Sequence, residues 1–162
     1  MNGLIQLFYL MLPAYVANMT PVFASKLNIF QKPIHSKIFG GHKTWGGLIG
    51  GIIVGSIIGI LQIIITPNYY LYPNYFYVIL LAIGALLGDI LFSFFKRRLC
   101  IKPGQSWVPF DQIDFVIGAL VLGLLLYVPS VIKIMIIIMG SFILHVIVNA
   151  IGYLLKLRKT WI

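Results

Sequence analysis

In 162 residues the chain carries twelve lysines and arginines against three acidic residues, a formal net charge of +9. Hydrophobic residues fill 60% of the positions, charged residues only 9%, and the mean hydropathy is +1.02. A soluble domain of this size needs a charged surface, so the composition excludes a water-soluble protein and predicts an all-α integral membrane protein forming one transmembrane domain over residues 1–162.

About 20 apolar residues are needed to cross a bilayer core as helix. Five stretches are candidates: Leu4–Phe23, Thr44–Ile65, Tyr75–Phe95, Ile113–Tyr127 and Ser130–Leu157. The first has no positive start and its apolar run is long and interrupted, so it reads as a retained helix and not as a cleaved signal. The loop after it carries Lys26, Lys32, Lys37 and Lys43 and ends in Gly40-Gly41-His42-Lys43-Thr44-Trp45. A glycine-rich turn opening a helix offers free N–H groups to an anion, with Lys43 as a point charge and Thr44 as a donor, although capping the helix is the commoner use of such residues. The Walker A spacing is absent.

In the second span Gly47, Gly51, Gly55 and Gly59 recur every four residues, a strip that lets another helix approach backbone to backbone. The loop 67–74 is uncharged, and Tyr69, Tyr70, Tyr72, Tyr75 and Tyr77 form an expected aromatic belt at that boundary. The third span repeats the small-residue pattern at Gly84 and Gly88. It then presents Asp89, Ser93, Lys96 and Arg97 on one face, with Arg98 beside them. The fourth is short and starts with Asp111 and Asp114, three apart and so on one face. The fifth carries His145 and Asn149 one turn apart, which predicts interhelical hydrogen bonding. Trp45, Trp107 and Trp161 read equally well as interfacial anchors.

Positive charge gathers in the first and third loops and in the tail (Lys156, Arg158, Lys159). The positive-inside rule then puts the N-terminus outside and both basic loops and the C-terminus in the cytoplasm, with five spans. Basic loops against an anionic leaflet explain the net charge without nucleic acid.

The three carboxylates, Asp89, Asp111 and Asp114, fall in one short stretch beside Lys96-Arg97-Arg98. Carboxylates cost about 2.5–3.5 kcal/mol each at a membrane helix centre on insertion scales, and three together would repel. A hairpin of spans three and four brings them together, and a hard divalent cation such as Mg²⁺ resolves the repulsion while keeping positions for phosphates. Helix-capping ion pairs are the competing account, stronger for Asp111 near a helix start than for Asp89 in mid-helix.

Pro13-Ala14-Tyr15-Val16-Ala17-Asn18, Lys43-Thr44-Trp45-Gly46-Gly47, Gly88-Asp89 through Ser93 to Lys96-Arg97-Arg98, and Asp111-Gln112-Ile113-Asp114-Phe115 together resemble the CDP-archaeol synthases, relatives of the CDP-diacylglycerol synthases. The resemblance covers essentially the whole chain in order. One departure is Gly46, where the family pattern has arginine. The resemblance implies transfer of CMP from CTP to 2,3-bis-O-(geranylgeranyl)glycerol 1-phosphate, an isoprenoid ether lipid phosphate, with pyrophosphate released and one or two Mg²⁺ required. It implies five spans and a nucleotide site opening to the cytoplasm. On this reading Asp89, Asp111 and Asp114 hold metal, and Lys96, Arg97 and Arg98 steady the phosphates. Lys43, Thr44, Ser93 and Asn18 contact the nucleotide. Phosphatidic acid is the alternative lipid, and a small ion-coupled transporter is the alternative from another class. The oligomeric state stays open.

Overall fold

The computed structural model describes residues 3–67, 74–102 and 105–154. Among the described residues seven helices run in order: α1 (Gly3–Leu10), α2 (Leu12–Lys26), α3 (Ser36–Phe39), α4 (Trp45–Ile65), α5 (Tyr75–Arg98), α6 (Phe110–Gly123) and α7 (Val131–Leu154). Tyr69, Tyr70 and Tyr72 of the expected belt, the last three residues of the expected fifth span, and the tail residues Lys156, Arg158, Lys159 and Trp161 lie outside the described residues.

The expectation of five spans is overturned. Among the described residues three helices are long and apolar enough to cross a membrane, α4, α5 and α7, and the α1–α2 pair makes a fourth if taken as one broken span. The fourth expected span, Ile113–Tyr127, fails on length. Its helix has 14 residues, about 21 Å at 1.5 Å per residue, against a hydrocarbon core of about 30 Å. Polar Asp111, Gln112 and Asp114 occupy its first turns, and its other end unwinds after Gly123 into turns at Leu124–Leu126.

The first expected span is broken for a different reason. Pro13 has no N–H to give the carbonyl of Tyr9, and its ring crowds that turn. The two helices meet at 43°. The carbonyl of Tyr9 accepts instead from the Gln62 side-chain amide of α4 at 2.8 Å, as apolar surroundings require of any freed backbone group. A short hydrogen bond between the Tyr9 and Thr66 hydroxyls, 2.5 Å, closes the same end of the bundle.

α4 and α5 match the sequence expectation closely, because each continuous apolar run begins at a capping residue. The Thr44 hydroxyl accepts from Gly47 N–H at 3.2 Å, and the Asn74 side chain accepts from Phe76 and Tyr77. The glycine strip of α4 is buried, and it works as predicted. A Cβ on Gly51 would meet the Ala17 carbonyl at 2.7 Å, and one on Gly55 would meet the Pro13 carbonyl at 2.7 Å, so α2 and α4 touch backbone to backbone.

The same happens where α5 meets α6. Cβ atoms on Gly84 and Gly88 would run into the Gly118 and Asp114 backbones, and one on Gly118 would strike the Gly84 carbonyl oxygen. Gly118 is the partner the sequence pattern did not single out. Tyr77, expected at the boundary, is buried in the core and packs edge-on against Tyr127. α7 lies at the periphery. It is tied in by the Tyr15–Ser141 hydroxyl pair at 2.6 Å and by His145 against the Phe115 ring, 6.2 Å between centroids. Asn149 is buried, 4% exposed.

Candidate active site

The close α5–α6 contact decides where the polar residues fall. Asp89 follows Gly88 on α5, and the backbone of Asp114 lies against Gly88. At this end of the pair a cavity of about 230 Å³ opens, lined by Asp89, Asp111 and Asp114 together with Lys43, Ser93, Lys96 and Arg97. Phe39, Gly40 and His42 complete the lining.

Lys43 reaches the cavity from a strap, residues 27–44, that crosses the bundle end between α2 and α4. Pro33 and Thr44 pair as an antiparallel bridge. Ile34 N–H donates to the Lys43 carbonyl at 2.8 Å, and Trp45 N–H to the Lys32 carbonyl at 3.0 Å. Gly40, with φ +91°, turns the chain from α3 toward Lys43, a conformation L side chains rarely adopt. Gly46 is similarly constrained by space. A Cβ there would collide with the carbonyl oxygens of Ile29 and Phe30 as the strap passes.

Two ion pairs organise the site. Lys43 Nζ donates to both oxygens of Asp89 at 2.5 Å, with the two side chains 23% and 21% exposed. Lys96 Nζ donates to Asp111 Oδ2 at 2.6 Å and to the Gln105 carbonyl at 2.8 Å. Asp111 also accepts from Trp107 N–H at 2.8 Å, and it stands in the first turn of α6, where the helix dipole favours a negative charge. Asp114 is 6% exposed and accepts from Phe115 N–H at 2.6 Å. Ser93 is buried at 9% exposure. Arg97 lines the cavity, and its Nε is buried without a hydrogen-bond partner among the described residues.

Three of the sequence candidates stand apart. Thr44 caps α4 beside Lys43 but does not line the cavity. Asn18 is half-buried on α2, away from the lining. Arg98 points outward, its guanidinium 5.4 Å from the centroid of the Phe94 ring. Three lining residues were not chosen from sequence: Phe39, which carried no signal, and Gly40 and His42, whose signal was their place in the glycine-rich turn. Among the described residues no three of Asp, Glu, His and Cys are close enough to form a metal site as they stand.

The CDP-archaeol synthase (CarS-like) family profile matches residues 1–162. The chain belongs to the CDP-archaeol synthase family. It is 36% identical over 165 residues to the CDP-archaeol synthase of Pyrococcus furiosus, covering 98% of each chain. Over 126 residues it is 42% identical to that of Pyrococcus horikoshii, 74% of each chain. A solved intramembrane enzyme for archaeal membrane lipids biosynthesis shares the fold with a TM-score of 0.76 at 34% identity, over 86% of this chain and 90% of that one. The resemblance seen in the sequence therefore holds, and with it the enzyme class: a multi-pass membrane protein with the CTP-dependent archaeal lipid cytidylyltransferase activity of CDP-archaeol synthases.

Proposed function

We propose that this cytidylyltransferase takes an isoprenoid ether lipid phosphate, 2,3-bis-O-(geranylgeranyl)glycerol 1-phosphate, as acceptor, and that its chemistry occurs in the cavity at the α5–α6 end. The observation that carries the reading is the convergence of three carboxylates and three cationic side chains, Lys43, Lys96 and Arg97, on one cavity. An oxygen of the lipid phosphate attacks the α-phosphorus of CTP. A new P–O bond forms, the bond from that phosphorus to the β-phosphate oxygen breaks, and pyrophosphate leaves. The lipid phosphate is already largely ionised near neutral pH, so no strong base is required. The barrier is the approach of two anions, and the protein acts by positioning and charge neutralisation.

The donor set suits Mg²⁺, since all three acidic groups are hard carboxylate oxygens at one cavity and the hydroxyl of Ser93 stands among them. Asp89, Asp111 and Asp114 are the residues that would hold one or two such ions. When bound, Mg²⁺ supplies neutralisation of the CTP phosphates. Lys96, fixed between Asp111 and the Gln105 carbonyl, keeps a positive charge at the mouth of α6 for the departing pyrophosphate. Arg97 lines the same cavity and supplies a further cation for a phosphate. Lys43 approaches from the strap side, and Thr44 holds it there as the cap of α4, while Asn18 and Arg98 stand outside the lining.

The basic loops 26–43 and 96–102 lie at the same end because α4 and α5 are successive membrane helices, and positive charge beside such helices marks the cytoplasmic side. We therefore place the CTP entrance there.

The experiment is pyrophosphate release by purified protein from CTP and Mg²⁺ with the geranylgeranyl ether lipid, beside phosphatidic acid and beside Asp114→Asn. Turnover with the ether lipid that is lost in the variant is expected. Equal turnover with phosphatidic acid would overturn the lipid assignment, and an active Asp114→Asn enzyme would overturn the site.

A further inference from the structure

The two lysines that pair with aspartates in the cavity are held very differently. Lys96 Nζ is locked by two acceptors, Asp111 Oδ2 and the Gln105 carbonyl. Asp111 is itself anchored by Trp107 N–H, and Gln105 by Lys102 N–H at 3.0 Å. Lys43 Nζ has hydrogen bonds to Asp89 alone among the described residues, but it takes both carboxylate oxygens. An ammonium group astride both oxygens stands where a divalent cation gripping both would stand, so the two compete for that position on Asp89.

We infer that Lys43 is an internal counter-cation of Asp89 that is exchanged on substrate binding: Nζ passes from the carboxylate to a nucleotide phosphate as the divalent cation takes its place. This rests on the metal role of Asp89 proposed above.

The backbone permits such an exchange without moving the strap. The Lys43 carbonyl is pinned by Ile34 N–H, Thr44 is pinned as the cap of α4, and Trp45 N–H is held by Lys32. The flexible four-carbon stem is therefore the part that swings, and lysine is the cation suited to it, a compact charge with rotatable donors. The two side chains are 23% and 21% exposed, so the pair is open to an incoming ion and can be displaced. Arg97 and Ser93 line the same cavity, so phosphate drawn there meets polar side chains besides Lys43.

Two consequences follow. A divalent cation alone competes with Lys43 for Asp89 and binds weakly. Nucleotide gives the displaced ammonium a new partner, so cation and nucleotide each strengthen the other's binding, reciprocally. The ion pair thus favours arrival of the metal–nucleotide complex over the free metal.

The test is titration of the full-length detergent-purified protein with Mn²⁺ and no nucleotide, free Mn²⁺ being read by electron paramagnetic resonance. Wild type, Lys43→Met, Lys43→Arg, Lys96→Met and Asp89→Asn are compared, each checked for a monodisperse elution profile. Removing the competing charge in Lys43→Met should tighten Mn²⁺ binding by about tenfold, the low end of what a neighbouring opposite charge does to a carboxylate. Lys43→Arg, which keeps a cation able to grip both oxygens, should bind Mn²⁺ like wild type. Lys96→Met should fall nearer to wild type than Lys43→Met does. Should Lys43→Met fail to fold, Lys43→Gln carries the same expectation.

Unchanged or weaker Mn²⁺ binding in the neutral Lys43 variant, with binding still dependent on Asp89, overturns the exchange and leaves the metal role intact. Mn²⁺ binding indifferent to Asp89→Asn overturns the metal role of Asp89 and the exchange together.

Discussion

The α5–α6 pair and the α7 helix are built to opposite rules. α5 and α6 meet at Gly84, Gly88 and Gly118 with no side chain between their backbones, and 39% of the apolar window of α5 is buried. α7 is of equal length at 24 residues, yet only 11% of its window is buried, and it rests on the bundle through Ser141, His145 and Ile137. Lipid is as apolar as leucine, so a membrane helix gains little from hydrophobicity when it packs, and close contact has to be built from small residues and polar links. This chain spends its glycines where the aspartates must be held in register and leaves α7 largely to the lipid.

Gly118→Val attacks the contrast hardest. Its side chain has only the Gly84 and Gly88 backbones to enter, so overpacking should cost about 3 kcal/mol and abolish pyrophosphate release, read by thermal unfolding in detergent beside turnover. A folded, active Gly118→Val protein would mean that the α5–α6 contact does not set the site. Asp114→Asn should separate packing from chemistry, reducing turnover about a thousandfold as loss of a charge-stabilising group does while the unfolding midpoint stays near that of wild type. Tyr15→Phe removes the hydroxyl link to Ser141 and should cost about 0.6 kcal/mol, the average for interhelical hydrogen bonds in a membrane, with turnover nearly intact. Met139→Leu, on the exposed face of α7, should change stability by less than about 0.5 kcal/mol. A larger loss there would indicate a partner on that face and blur the distinction between the two helices.

The sequence was most legible where one local rule sufficed. Thr44 and Asn74 mark the starts of α4 and α5, and the spacing of Gly47, Gly51, Gly55 and Gly59 declares a packed face. α6 was misread because counting apolar residues begins it at Ile113, after the polar residues that form its first turn, and carries it through Leu124–Leu126, where the helix has ended. Pro13 lies inside the single span expected over Leu4–Phe23, where its missing N–H was passed over as a break. The compensating bond from Gln62 joins residues 53 apart and is set by tertiary structure alone. The aspartates were visible as a cluster because they are the chain's only acidic residues. The pairing of Asp89 with Lys43 was not, since that lysine is delivered by a strap whose course depends on the bridge between Pro33 and Thr44. The same strap brings in Phe39 and His42, and it accounts for Gly46 at a position where a side chain would strike Ile29 and Phe30.

The glycine joint between α5 and α6 also has a thermal consequence. A leucine-packed contact immobilises rotatable side chains, and the entropy lost by each weighs more heavily as temperature rises. Gly84, Gly88 and Gly118 have no side-chain torsions to freeze. The joint beneath the aspartates therefore carries no side-chain rotamer penalty that grows with heat, and what opposes it on warming is the backbone freedom of its three glycines.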